Sequence, residues 1–169
     1  MLGRVGQLYG LKRERPEVII GVTGCMAQRM GDVLLKQAPF VDLVMGPDGY
    51  RSLPERLEAL EDGRRARPSR SSKKRGPQLA VLDLNLGESY EGLSQRRTSR
   101  ISAWVPIQRG CDHRCTFCIV PYVRGPEKNR RPEAVLKEIE EIAASGLTEV
   151  TLLGQTVNSY RSGGTSFTD

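Results

Sequence analysis

Cys111-Asp112-His113-Arg114-Cys115-Thr116-Phe117-Cys118 is the stretch from which the rest of the chain can be read. Three cysteines at spacing C-x3-C-x2-C stand behind Gly110 and ahead of Pro121 and Gly125. Three thiolates on one short loop hold three corners of a metal cluster, but they do not close a site of four. Soft thiolate ligands select iron–sulfur clusters, zinc or copper(I). A structural zinc site wants four ligands, commonly as two separated pairs. A cubane held by three cysteines leaves one iron with an open coordination position, where chemistry can take place. The alternative is a zinc knuckle completed by His113 or Cys25. Spacing disfavours it, because His113 lies only two residues from Cys111.

Working outward, Ile101-Ser102-Ala103-Trp104-Val105-Pro106-Ile107 reads as a strand that delivers the chain to the cysteine loop. Beyond the loop, Pro132 suits a first helical turn and Glu133 suits the helix dipole. Val135, Leu136, Ile139, Ile142 and Ala143 then form an apolar stripe, which Gly146 ends. Glu149-Val150-Thr151-Leu152-Leu153 is the next strand, finishing at Gly154-Gln155. The loop therefore sits at the carboxyl end of one strand of a β-loop-α-β unit. In a (β/α) barrel that end carries the active site.

Toward the amino terminus, Met1 to Lys12 reads as the tail of a helix. Glu17-Val18-Ile19-Ile20-Gly21-Val22 reads as a buried strand, with Gly24-Cys25-Met26-Ala27 at its carboxyl end. Gln28 to Gln37 reads as a helix, Val41 to Gly46 as a second strand, and Tyr50 to Asp62 as a helix with Leu53, Leu57 and Leu60 on one face, ended by Gly63. Strand, helix, strand, helix predicts a parallel, doubly wound α/β sheet, although two strands alone do not make one. From Gly63 to Pro77, Arg64, Arg65, Arg67, Arg70, Lys73, Lys74 and Arg75 occur with no acidic residue among them. This composition predicts a mobile tether, with contact to RNA phosphates as the alternative. Leu82, Leu84 and Leu86 alternate with Asp83 and Asn85, which suggests a strand within Leu79–Leu86. Glu88 to Arg100 is polar and irregular.

The 169 residues suggest one domain or two small ones. An apolar share of 38% is low for a compact domain and leaves room for a linker. No stretch approaches the roughly 18 apolar residues of a membrane span. The opening Met1-Leu2-Gly3-Arg4-Val5-Gly6 has no signal-peptide core, so the expectation is a cytoplasmic protein without a membrane partner. Clustered cysteines in such a chain argue for metal ligation rather than disulfides. A net charge of +6 allows an acidic partner, RNA first among them.

With Phe117 just before the third cysteine, the loop resembles that of the radical S-adenosylmethionine (SAM) enzymes. Gln108-Arg109-Gly110-Cys111 and Ile119-Val120-Pro121-Tyr122-Val123-Arg124-Gly125 narrow the resemblance to the methylthiotransferases. Upstream, Gly24-Cys25-Met26-Ala27-Gln28-Arg29 is similar to the third cysteine motif of that family's amino-terminal domain. Leu153-Gly154-Gln155-Thr156-Val157-Asn158-Ser159-Tyr160 looks most like the branch acting on dimethylallyladenosine in tRNA. Branches acting on threonylcarbamoyl-adenosine or on a ribosomal protein aspartate are the alternatives, as are an inactive fragment and a zinc-containing RNA-binding module.

The resemblance implies Cys111, Cys115 and Cys118 as ligands of a 4Fe–4S cluster whose fourth iron chelates SAM. It implies a second cluster in the full-length family, with Cys25 one of its ligands. Phe117 would lie near the adenine of SAM, or else be a core aromatic. Gly154, Gln155 and Asn158 would line the SAM side of the pocket, or else satisfy loop backbone. Arg109, Arg114 and Arg124 would meet SAM carboxylate or RNA phosphate, or be solvated. Implied partners are tRNA and an electron donor such as flavodoxin or ferredoxin. The family pattern carries two more cysteines before the position of Cys25, and further barrel after residue 169. The chain therefore reads as an internal fragment: 1–62 a partial amino-terminal methylthiotransferase domain, 63–98 a basic linker and connecting segment, 99–169 the start of a radical SAM, partial TIM-like barrel.

Overall fold

The computed structural model describes residues 2–66, 77–85, 87, 88, 90–93, 97, 99 and 101–169. These fall into two compact units, 1–85 and 86–169.

In the first unit the order is α1 (Leu2–Glu14), β1 (Gly21–Thr23), α2 (Cys25–Met30), α3 (Asp32–Gln37), β2 (Leu43–Met45), a 3-10 turn (Pro47–Ser52), α4 (Leu53–Arg65) and β3 (Leu79–Val81). The strands form one parallel sheet in the order β1-β2-β3, with Val44 opposite both Val22 and Ala80. β2 is fully buried, as a continuous apolar run in a parallel sheet should be. Successive side chains point to opposite faces of a strand. Val44 accordingly joins Val5, Ile20, Ala27, Leu34 and Val41 in one apolar cluster. Leu43 and Met45 join Leu60, Leu53 and Val81 in another.

Several local expectations are corrected. The helix expected over Gln28–Gln37 is two six-residue helices that meet at Gly31, whose φ of 50° is open to glycine and poor for other residues. Helix α4 does not stop at Gly63 but runs on to Arg65. The reason lies in Arg64, which pairs with Asp42 at 2.6 Å and donates to the Glu17 carbonyl at 2.7 Å. These contacts offset the roughly 1 kcal/mol that glycine costs inside a helix. Arg64 is thus an anchor rather than part of a solvated tether. Of the other basic residues in that stretch, Arg65 ends α4 and pairs with Glu61 and Asp62. Arg67, Arg70, Lys73, Lys74 and Arg75 lie outside the described residues. The strand within Leu79–Leu86 is Leu79–Val81, ahead of the alternating leucines; Leu82 and Leu84 follow it as irregular chain, and Leu86 is outside the described residues. Pairing with β2, not the local alternation, determines where this strand lies.

The second unit contains β4 (Ser102–Pro106), β5 (Gln108–Arg109), α5 (Val120–Arg124), β6 (Lys128–Asn129), α6 (Pro132–Ala144), β7 (Glu149–Leu153), a 3-10 turn (Val157–Ser159) and the hairpin β8 (Arg161–Ser162) and β9 (Thr165–Ser166). β4 and β7 pair in parallel from Ser102↔Glu149 to Pro106↔Leu153, with α6 as the crossover. Ala103, Val105 and Ile107 are buried against Val135 and Ile142 of α6, together with Tyr160. The apolar stripe of α6 is narrower than expected. At about 100° per residue, Val135, Ile139 and Ile142 fall within about 60° of arc, while Leu136 and Ala143 lie roughly 80–100° from Val135. Those two are exposed. No helix among the described residues is long and apolar enough to cross a membrane.

Candidate metal and cofactor site

The cysteine loop is closed at its base by a ladder that the residue pattern did not reveal. After Pro106 the chain continues into β5, which pairs antiparallel with β6 through Gln108↔Asn129 and Arg109↔Lys128. Residues 110–127 are therefore an excursion that leaves and re-enters one ladder. Gly110 makes the exit possible. Its φ is 71°, and a Cβ there would stand 1.9 Å from the Pro126 carbonyl oxygen. Two hydrogen bonds fasten the two ends. Cys111 N donates to Gly125 O at 3.2 Å, and Glu127 N donates to Asp112 Oδ1 at 3.0 Å.

Between these fastenings, residues 112–117 are exposed. Cys111 is buried, Cys118 half-buried and Cys115 exposed, and all three are free thiols. Cys118 N donates to Cys115 O at 3.0 Å, so the last two cysteines share one tight turn. Among the described residues, no three His, Cys, Asp or Glu side chains stand together in metal-binding geometry. The loop brings the thiols to one short segment without converging them. Phe117 is 94% exposed, which removes the core-aromatic alternative for it. Cys25 belongs to the other unit, as the half-buried first residue of α2.

The loop after β7 is tied to this base. Gln108, 4% exposed, accepts from Thr156 N through Oε1 at 2.9 Å and donates from Nε2 to Ser159 Oγ at 2.9 Å. Gly154 leaves room for that amide, since a Cβ there would stand 2.9 Å from Gln108 Oε1. Gly154 thus serves the packing of the loop, while Gln155 and Asn158 are exposed beside it. Thr156 Oγ1 lies 3.8 Å from Cys111 Sγ. Ser159 Oγ donates to Glu127 Oε2 at 2.6 Å.

Arg109 is also buried rather than solvated. Its Nη1 donates to Glu88 O at 2.7 Å, and its guanidinium lies 4.7 Å from the centre of the Tyr90 ring. Arg114 is exposed and Arg124 half-buried. Tyr160 donates from its hydroxyl to Arg130 O at 2.6 Å, and burial raises its pKa above the ordinary tyrosine value. Gln108, Thr156, Ser159 and Glu127 escaped the sequence reading as site residues. Their partners lie 32 to 51 positions away, and no local period marks such pairs.

Comparison with known proteins finds matches in both parts of the chain. The Radical SAM superfamily model matches residues 105–166, which run from the end of β4 through the loop, α6 and β7. The model of Uncharacterized protein family UPF0004 matches residues 1–46. The tRNA-2-methylthio-N(6)-dimethylallyladenosine synthase of Chloroherpeton thalassium is 42% identical over 93% of the chain and 32% of its own length. Those of Dictyoglomus thermophilum and Moorella thermoacetica are 40% and 41% identical over 95% and 94% of the chain, and 34% and 33% of their own lengths. The chain spans about a third of the length of these curated relatives. It belongs to the radical SAM methylthiotransferase family.

Proposed function

We propose that Cys111, Cys115 and Cys118 hold a 4Fe–4S cluster that binds SAM, and that the whole protein methylthiolates tRNA. The substrate position is ring carbon 2 of isopentenyl-modified adenosine beside the anticodon. The observation that carries this reading is a set of three free thiols on one exposed loop whose two ends are fixed. The donor set fits: three soft ligands suit an iron–sulfur cluster and leave one metal position for a second ligand. When bound, the cluster and SAM supply the one-electron chemistry that removes hydrogen from a carbon no acid or base can deprotonate.

The chain's own residues bind and orient. Gly110 turns the chain so that Cys111 N is held by Gly125 O, which fixes one thiol at the loop base. The 115–118 turn presents the other two. Phe117 offers an aromatic face for adenine, and Gln155 and Asn158 offer polar groups on the neighbouring loop. Arg114, which is exposed, and Arg124, which is half-buried, would meet SAM carboxylate or RNA phosphate. Cys25 would be one ligand of a second cluster in the whole protein, and flavodoxin or ferredoxin would donate the electron.

The fold is part of the same proposal. Apolar clusters containing alternate residues of β2 support a doubly wound first domain, and β4-α6-β7 supports the first units of a partial barrel. The domain division proposed is 1–62, 63–98 and 99–169, with Leu79–Val81 returning to pair with β2. Anaerobic reconstitution of the chain and its Cys115→Ala variant tests the ligand assignment. Cys115→Ala should lose cluster iron while keeping its fold, because Cys115 is exposed. Full iron retention in that variant would refute it.

A further inference from the structure

Cys111 differs from the other two cysteines in being buried and in having a hydroxyl beside it. Thr156 Oγ1 stands 3.8 Å from its sulfur, across 45 residues of chain. A metal-bound thiolate has no proton, so toward it the threonine hydroxyl can only donate. Thr156 is not placed by its own loop alone. Its amide is held by Gln108 Oε1, and the other end of the Gln108 amide holds Ser159 Oγ. Ser159 Oγ hydrogen-bonds to Glu127 Oε2, and the Glu127 backbone amide donates to Asp112 Oδ1 next to Cys111. The circuit thus runs from the strand before the cysteine loop, through the loop after β7, and back to both ends of the cysteine loop.

We infer that Gln108 and Thr156 are positioning residues that set the reduction potential of the cluster by aiming the Thr156 hydroxyl at Cys111 Sγ, an inference that rests on the cluster reading above. Hydrogen bonds to ligand sulfurs stabilise the more negative, reduced cluster and raise its potential. Gln108 holds the amide of the residue that donates, so its removal acts through Thr156.

The test is a redox titration of the reconstituted 169-residue chain, followed by electron paramagnetic resonance, with iron content measured alongside. Thr156→Val removes the hydroxyl and keeps the shape. It should lower the reduced-to-oxidised ratio at a fixed potential by about threefold to tenfold, where tenfold corresponds to ~59 mV for one electron. Thr156→Ser, which restores a hydroxyl, should return toward the parent value. Gln108→Met should shift the potential in the same direction as Thr156→Val. A Thr156→Val protein with full iron and unchanged potential would overturn the inference and leave the cluster assignment standing. If Thr156→Val does not hold iron, an unchanged potential in Gln108→Met overturns it equally. A parent chain that binds no iron would instead defeat the cluster reading, and this inference with it.

Discussion

Gly110→Ala is the substitution that most sharply separates a fixed loop base from an adaptable one. Two costs add. Placing a side chain at φ 71° costs roughly 1–2 kcal/mol by itself. The new Cβ would also stand 1.9 Å from Pro126 O and 2.7 Å from Gly125 O, both backbone atoms. Contacts under 3.0 Å are not tolerated by a real Cβ, so the 125–126 backbone must retreat by more than an ångström. That retreat breaks the Cys111 N to Gly125 O bond and strains the β5–β6 pairing, at about 0.5–1.5 kcal/mol for each hydrogen bond lost. The expected destabilisation of the second unit is about 3 kcal/mol or more. Gly146→Ala is the control, because Gly146 has φ 87° but nothing within 4 Å of its Cβ position. It should cost only the conformational part, about 1–2 kcal/mol. Denaturant unfolding followed by circular dichroism measures both, and iron uptake reports the loop. Equal stability of the two variants, with normal iron uptake by Gly110→Ala, would show that the loop base is adaptable rather than fixed.

Other perturbations probe the rest of the molecule. Asp42 is 4% exposed, receives the Ile20 amide at 2.8 Å, and pairs with Lys12 and Arg64; Asp42→Ala strands both cations and should destabilise the first unit by about 3–5 kcal/mol in denaturant unfolding. Burial raises the Tyr160 pKa, so its contribution to stability is full below its unfolded value near pH ~10 and is lost as pH rises through the higher folded value. Denaturant midpoints on either side of that range should therefore fall for the parent and fall less for Tyr160→Phe. Phe117→Ala should change stability by no more than about 0.5 kcal/mol, because the ring is exposed, while weakening SAM binding measured by calorimetry on reconstituted protein.

What the sequence conveyed well was local. The strand of Glu149–Leu153 and the helix starting at Pro132 lie where their residues predict, because period, proline and glycine signals all fall within one window. The three cysteines needed no structure to be noticed. Features made by distant partners were missed. Asp42 carries no local mark of burial, yet it gathers Lys12, Ile20 and Arg64. Gln108 reads as a polar residue at a strand end until Thr156 and Ser159 close on it from across the fold. Arg109 and Arg114 look alike as cations, but only Arg109 finds a carbonyl and a ring to lie against. The β5–β6 pairing escaped for the same reason: two-residue strands have too few residues to show a period.

The central claim is that the three-cysteine loop holds a SAM-binding cluster. Electron paramagnetic resonance on the anaerobically reconstituted, dithionite-reduced chain, with and without SAM, tests it most directly. A reduced-cluster signal that changes when SAM is added is the expected result. A folded protein that retains zinc and shows no such signal would contradict it.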